Sequence, residues 1–531
     1  MFTSYYTILL FIFFIEIGIV YSVVINAIAF TQNGGGTLYS PIINEFNQLS
    51  KDQNLDISIK LNLLSSGNST TSSVNYEELL DSIFKRKSKK YDLIFYDNIY
   101  TSKFEPYLLD LNNLLPEEHI KMYIPGVITQ IGYHNNKLVG FPITIDYTVI
   151  YCNDYFLNKY NKTIPKTWDE LIDTGQYILN EEKKMNNTEF VVFNGYLDDS
   201  EQGTCSIYEF IYSCRDSKES KFPELTNQTT INALKKLKEI KNKISSDEIF
   251  KSGLNFLFKK LNEDKNFLFL KFWYLHNKNY TIIPLPGIKE GISGSVLGGH
   301  NLGISIYSDS NIRDYLIKVF MFITSKNMQR KYMVKRGFYS PISSLYDEDE
   351  VCKEVNCEFF KSIQLIARPT NKIKDYDLYS SKFRNYIYDY LYGDKKAEDV
   401  LKIVNEITQT HYLSLKTDET HIGLIIFIIT VILSVVILTS SGLLLITQYK
   451  LYFNFTSIDL WFIIIIGLFI CLLPIYMDFG PIYLIKCYLR FYFNLFGRFL
   501  IYVPILIQLL INIPEKDIFL FLLFDVLTFL I

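Results

Sequence analysis

"VVINAIAFTQNGGGTLYSPIINEFNQLSKDQNLDISIKLNLL", residues 23–64, decides the fold. Val23 to Phe30 is an apolar, β-branched run that predicts a strand, and it stops at Asn33 to Thr37, "NGGGT". Leu38 to Leu49 then carries a helical pattern, and Asp56 to Leu64 a second strand. Strand, helix and strand in that order predict a βαβ unit and hence a parallel sheet. Glycines where a strand hands over to a helix let the backbone approach a ligand, so Asn33, Gly34 and Gly35 are candidate ligand-binding residues. A plain tight turn accounts for them equally well. "GGG" is not the G-x-G-x-x-G fingerprint, and no cofactor is expected.

The next unit repeats the pattern. Asn75 with Glu78 reads as a helix start, and "YDLIFYDN" (Tyr91 to Asn98) as a buried strand ending in polar residues. Ligands of open α/β sheets sit beyond the carboxyl ends of strands, which singles out Asp97, Asn98 and Tyr100; a capped loop is the competing reading. Thr167 with Glu170 forms a capping box ahead of the apolar stripe Leu171, Ile172, Ile178 and Leu179. In "PITIDYTVIY" (142–151) Asp146 interrupts an apolar strand beside Tyr147. Asp146 either bonds a ligand hydroxyl or caps a turn.

At 531 residues the chain calls for two to four units. Its net charge of −3, with Lys scattered among acids, leaves no basic field and argues against nucleic acid as a partner. Forty Tyr and 41 Phe supply many flat rings of the kind that stack on sugars, and Trp168 and Trp273 are either such platforms or core. Asp198, Asp199 and Glu201 are either a carboxylate set for glycosidic chemistry or a solvated loop. With no triad spacing and no clustered His or Cys, neither an enzyme nor a metal site is expected.

Residues 1–22 read as a secretory signal peptide, with an uncleaved anchor as the alternative. Sequons at Asn68, Asn161, Asn186, Asn227 and Asn279 all precede the membrane region and mark glycosylation candidates in an exported domain. Cys205 with Cys214, and Cys352 with Cys357, lie close enough in sequence to predict two small disulfide loops; Cys152 is left over. An exported domain is thus expected over 23–410 and a linker over 411–420. "KTDETHIGLIIFIITVILSVV" (416–436) then opens a membrane region, with helices at about 422–447, 458–477 and 482–511 and an incomplete fourth at 518–531. Arg490, Asn494 and Arg498 in the third are costly in lipid and are expected to face an interior.

"YDLIFYDNIYTSKFEPYLLDLNNLLPEEHI", "KLVGFPITIDYTVIYCND", "KTIPKTWDELIDTGQYIL", "GSVLGGHNLGISIYSDS" and "VFMFITSKNMQRKYM" resemble, in order, landmarks of extracellular solute-binding proteins of the type II periplasmic-binding fold, especially the sugar-binding family. The resemblance implies an α/β two-lobed domain closing on a small extracellular solute. Glu201, Trp273, Gly299 and Asn301 complete the ligand-binding candidates. "FNFTSIDLWFIIIIGLFICLLPIY" and "CYLRFYFNLFGRFLIYVPILI" resemble the membrane domain of class C G-protein-coupled receptors, of the metabotropic glutamate and GABA type B kind. That second resemblance implies a truncated plasma-membrane receptor with its N-terminal domain extracellular. It also implies a heterotrimeric G protein and a receptor dimer as partners, and a disulfide for Cys487. The alternative is a membrane-tethered solute-binding protein that captures nutrient without signalling.

Overall fold

The computed structural model describes residues 23–31, 38–65, 73–124, 126–275, 279–370, 375–407, 413–415, 421–480 and 483–512. The expectations placed on residues 1–22, Asn33, Gly34, Gly35, Asn68 and 518–531 therefore lie outside the described residues. The chain divides into two compact units, residues 1–408 and 409–531.

The first unit opens as its periodicity dictates. β1 (Val23–Thr31) lies parallel to β2 (Ile57–Ser65), with α1 (Tyr39–Asp52) as the crossover helix. Ile42, Ile43 and Phe46, spaced for one helical face, are buried together with Ile25 and Ala27 of the strand. α2 (Ser73–Lys85) leads to β3 (Leu93–Asp97), which pairs parallel on the other side of β1. Asn75 lies inside α2, two residues beyond its start.

From β4 (Phe141–Pro142) the chain crosses to a second sheet. That sheet holds β5 (Thr148–Cys152), preceding α3 (Trp168–Lys184), and β6 (Val191–Phe193), preceding α4 (Glu201–Ser213) and α5 (Gln228–Ile244). β7 (Phe267–Trp273) and β8 (Thr281–Ile283) complete it in the order β8-β5-β7-β6. β9 (Ser295–Val296) then leads back to β10 (His300–Ile304), which joins the first sheet in the order β2-β1-β3-β10-β4 and runs antiparallel to β3. α6 (Arg313–Ile323) packs near α1 in this first lobe. A third passage runs through β11 (Leu365–Ile366) to α7 (Tyr376–Leu391) and α8 (Ala397–Ile407), which pack on α5 in the second lobe. Two α/β lobes joined by several crossover strands make a periplasmic-binding-protein-like fold.

Thr167 accepts a hydrogen bond from Glu170 N–H at 3.2 Å, the cap that starts α3. Trp168 beside it is core, with 0 % exposure and its indole N–H donating to Ser213 Oγ at 2.8 Å. Cys352 and Cys357 form a disulfide. Cys205 and Cys214 do not: both are buried thiols. Cys205 lies within α4 and Cys214 caps its end, so nine residues at about 1.5 Å rise set them too far apart to bridge. Cys487 is likewise a free thiol among the described residues. Asn161, Asn186 and Asn279 are exposed, and Asn227 caps α5 by accepting from Thr230 N–H at 2.9 Å.

The second unit contains α9 (Ile422–Leu443), α10 (Ile458–Met477) and α11 (Leu484–Ile511), three helices long and apolar enough to cross a membrane. α10 and α11 meet at two glycines. A Cβ on Gly467 would stand 2.8 Å from the carbonyl oxygen of Gly497, and one on Gly497 2.6 Å from Cys471 Sγ. Contrary to expectation, Arg490 and Arg498 are exposed rather than turned inward. Arg490 instead reaches Asp478, just past the end of α10, at 2.5 Å.

Candidate functional site

Two of the crossover segments are hydrogen-bonded to each other. Gly298 N–H donates to Asp146 C=O at 2.8 Å and Asp146 N–H to Gly298 C=O at 3.2 Å; Leu297 N–H in turn donates to Ile366 C=O at 2.9 Å on the third passage. Gly299 follows with φ of +105°, and a Cβ there would come within 2.1 Å of Thr144 C=O. Only glycine fits that backbone, so Gly299 serves the joint and presents no side chain to a ligand.

The side chains gathered at this joint make the candidate cleft. The indole of Trp273, at the end of β7, lies 3.3 Å from where a Gly298 side chain would begin, and Asp146 Cβ lies 3.4 Å from the same point. Gln202, in the first turn of α4, accepts the indole N–H at 2.6 Å and fixes the ring. Asp146 is exposed, and protein crowding around it raises its pKa; His300 opposes the shift and Asp97 adds to it. His300 opens β10 directly opposite Asp97 on β3.

Asp97 joins this group for a local reason. β3 ends there, its carboxylate caps the following turn by accepting Ile99 N–H at 3.1 Å, and its own N–H donates to the buried Glu77 at 2.8 Å. Burial pushes the Glu77 carboxyl well up, and its second oxygen has no partner. Arg368 Nη2 stands 3.6 Å from Asp97, while Nη1 donates to Glu201 at 2.8 Å. Glu201 also accepts from Tyr376 at 2.6 Å and from Ser380. Beneath the cleft the buried pair Lys271 and Glu209 ties the second lobe to the joint, because Glu209 accepts from Thr148 of β5 and from Val296 N–H of β9.

Asp97, Asp146, Glu201 and Trp273 thus stand together, and six other candidates are engaged elsewhere. Tyr147 alternates to the opposite side of its strand from Asp146 and stacks on Tyr274 at 5.1 Å, 1 % exposed. Asn301 is buried, donating to Ile131 C=O at 2.8 Å and Thr101 at 3.1 Å as part of the first lobe's core. Tyr100 is buried with its hydroxyl donating to Asp377 at 3.1 Å, and Asn98 is buried beside it. Asp198 accepts from Ser200 at 2.7 Å and Asp199 pairs with Arg384 at 3.0 Å, so both serve the start of α4. Sequence reasoning missed Arg368, Gln202 and His300. Of these only His300, next to the Gly298–Gly299 turn, carried a local signal.

Residues 94–358 match the family described as bacterial extracellular solute-binding protein. A probable ABC transporter-binding protein of Deinococcus radiodurans is 24 % identical over 328 residues, spanning 57 % of this chain and 76 % of that protein. Among solved structures, maltose-bound MalE3 of T. maritima has a TM-score of 0.58 at 19 % identity, and the cyclic alpha-maltosyl-1,6-maltose binding protein of Arthrobacter globiformis 0.59 at 15 %. Each alignment covers 73 % of this chain and 99 % of the other. The two-lobed fold is therefore that of the solute-binding proteins. These matches overturn the class C receptor resemblance and give no support to the G-protein and receptor-dimer partners it implied. Apolar, aromatic-rich stretches such as 453–476 and 487–507 share a composition common to many membrane helices, and so carry little family information.

Proposed function

We propose that this chain is a membrane-tethered binding protein for an extracellular sugar, held between two lobes that close about their crossover strands. One observation carries the reading: Trp273 and Asp146 flank Gly298 where two crossover segments pair. A flat ring packs against the C–H face of a pyranose, and a carboxylate without a protein partner accepts its hydroxyls. The maltose-type binding proteins of the same fold support the sugar assignment. The three apolar helices of the second unit support the tether. Capture of solute at the cell surface for uptake is the role this arrangement serves, with hinge closure as its conformational step.

Titration of the full chain in detergent with maltose, cellobiose and their monosaccharides, followed by calorimetry and Trp fluorescence, tests it. Saturable binding to at least one sugar, weakened at least about tenfold (~1.4 kcal/mol) in Trp273→Ala, is expected. Heat and fluorescence that stay flat for every sugar would remove the proposal.

A further inference from the structure

The charges of the cleft discriminate among sugars, an inference that rests on the reading above. Arg368 is buried, 7 % exposed, and its two terminal nitrogens are committed to Glu201 and Asp97. Its Nε, in the same cluster, is buried without a hydrogen-bond acceptor among the described residues. One guanidinium thus stands between two carboxylates, leaving the group acidic before Asp146 is counted. Asp146 adds a third carboxylate, exposed and without a hydrogen bond or ion pair among the described residues, near the indole of Trp273. His300 is a basic group close enough to Asp146 to favour its anion. Protein packed around Asp146 and the charge of Asp97 both disfavour that anion, so a cation bound beside it would relieve a standing electrostatic cost. An indole face attracts cations as well as C–H bonds.

We infer that the cleft selects a cationic amino sugar over its neutral and N-acetylated counterparts, with Asp146 as the residue that sets the preference and Trp273 as the platform for the ring.

A series that differs only at C2 isolates this. Glucose, glucosamine and N-acetylglucosamine, and their β-1,4-linked trisaccharides, are titrated into the full chain in detergent at slightly acidic pH. The amino form is expected to bind about tenfold more tightly than the neutral form at low salt, and the ratio to fall in 0.5 M salt as charge is screened. Asp146→Asn is expected to bring the ratio close to one. The readout is the ratio rather than either affinity, so a general loss of binding does not mimic the effect; the salt series on the unaltered chain serves if the variant does not fold. Saturable binding of neutral sugar equal to or tighter than that of the amino sugar overturns the inference and leaves the sugar-binding reading standing. A ratio that persists in Asp146→Asn or in high salt also overturns it. No binding by any member overturns both.

Discussion

Arg368 donates to Glu201 at 2.8 Å from a position buried on the third passage between the lobes, and Glu201 is the first residue of α4. The same guanidinium faces Asp97 of the first lobe at 3.6 Å, so one side chain holds a helix start in one lobe and a strand end in the other.

Removing that side chain leaves two carboxylates, each about a third exposed, without their cation. Arg368→Met is expected to destabilise the first unit by about 1–3 kcal/mol, less than the cost of breaking a fully buried pair because water reaches both acids. Chemical denaturation of the full chain checks this, and a double variant with Glu201→Gln should recover part of the loss. A double variant no more stable than the single one would refute the pairing argument.

Gly299 and Gly291 form an internal contrast. Both have positive φ, +105° and +82°, but nothing lies within 4 Å of a Cβ at Gly291, whereas Thr144 C=O stands 2.1 Å from one at Gly299. Gly291→Ala should cost about 1 kcal/mol, the left-handed penalty alone. Gly299→Ala should cost roughly 2–5 kcal/mol, because strain and overlap add. Equal melting shifts for the two would contradict the geometry.

Glu77 makes the pH prediction. Its folded-state pKa is raised by burial, so the folded chain holds that proton at a pH where the unfolded chain has released it. Stability from this group is complete below the ordinary glutamate value near ~4.3 and is lost progressively as pH rises toward the raised folded value. Glu77→Gln keeps an oxygen for Asp97 N–H and should flatten the fall in stability as pH rises above the ordinary glutamate range. Parallel pH profiles for the two proteins would show that the carboxyl titrates as it does in the unfolded chain.

The membrane unit yields its own test. Gly467 and Gly497 allow α10 and α11 to approach until backbone meets backbone. Gly467→Leu is expected to cost about 1–3 kcal/mol through forced separation, read as a lower melting temperature of the second unit in detergent. Gly442→Leu, where nothing lies within 4 Å of a Cβ, should change little. A larger shift for Gly442 than for Gly467 would count against this packing.

What could be read from the chain beforehand was what is local. The βαβ opening, the Thr167 cap and the strand ending at Asp97 follow from periodicity and capping, which a few neighbouring residues determine. Arg368 could not be found that way, because it meets Glu201 across 167 residues and "IARPT" carries no pattern of its own. Asn301 was misplaced for a similar reason: a polar residue after a glycine turn is read as exposed until Thr101 and Ile131 are seen to satisfy it. Cys205 and Cys214 failed in the opposite sense, since nearness along a helix is distance in space. The three apolar helices were legible in length and composition, but a composition shared by many membrane helices supplied a family name that the rest of the chain does not bear.

The hydrogen-bonded pair Asp146 and Gly298 belongs both to the joint between the lobes and to the proposed binding site. On that proposal a substitution there would alter grip and swing at once, so a lineage changing its diet at this position would also retune how readily the jaws shut. Trp273 and Gln202, one step removed from the pivot, are where appetite can drift while the machinery of closing is left alone.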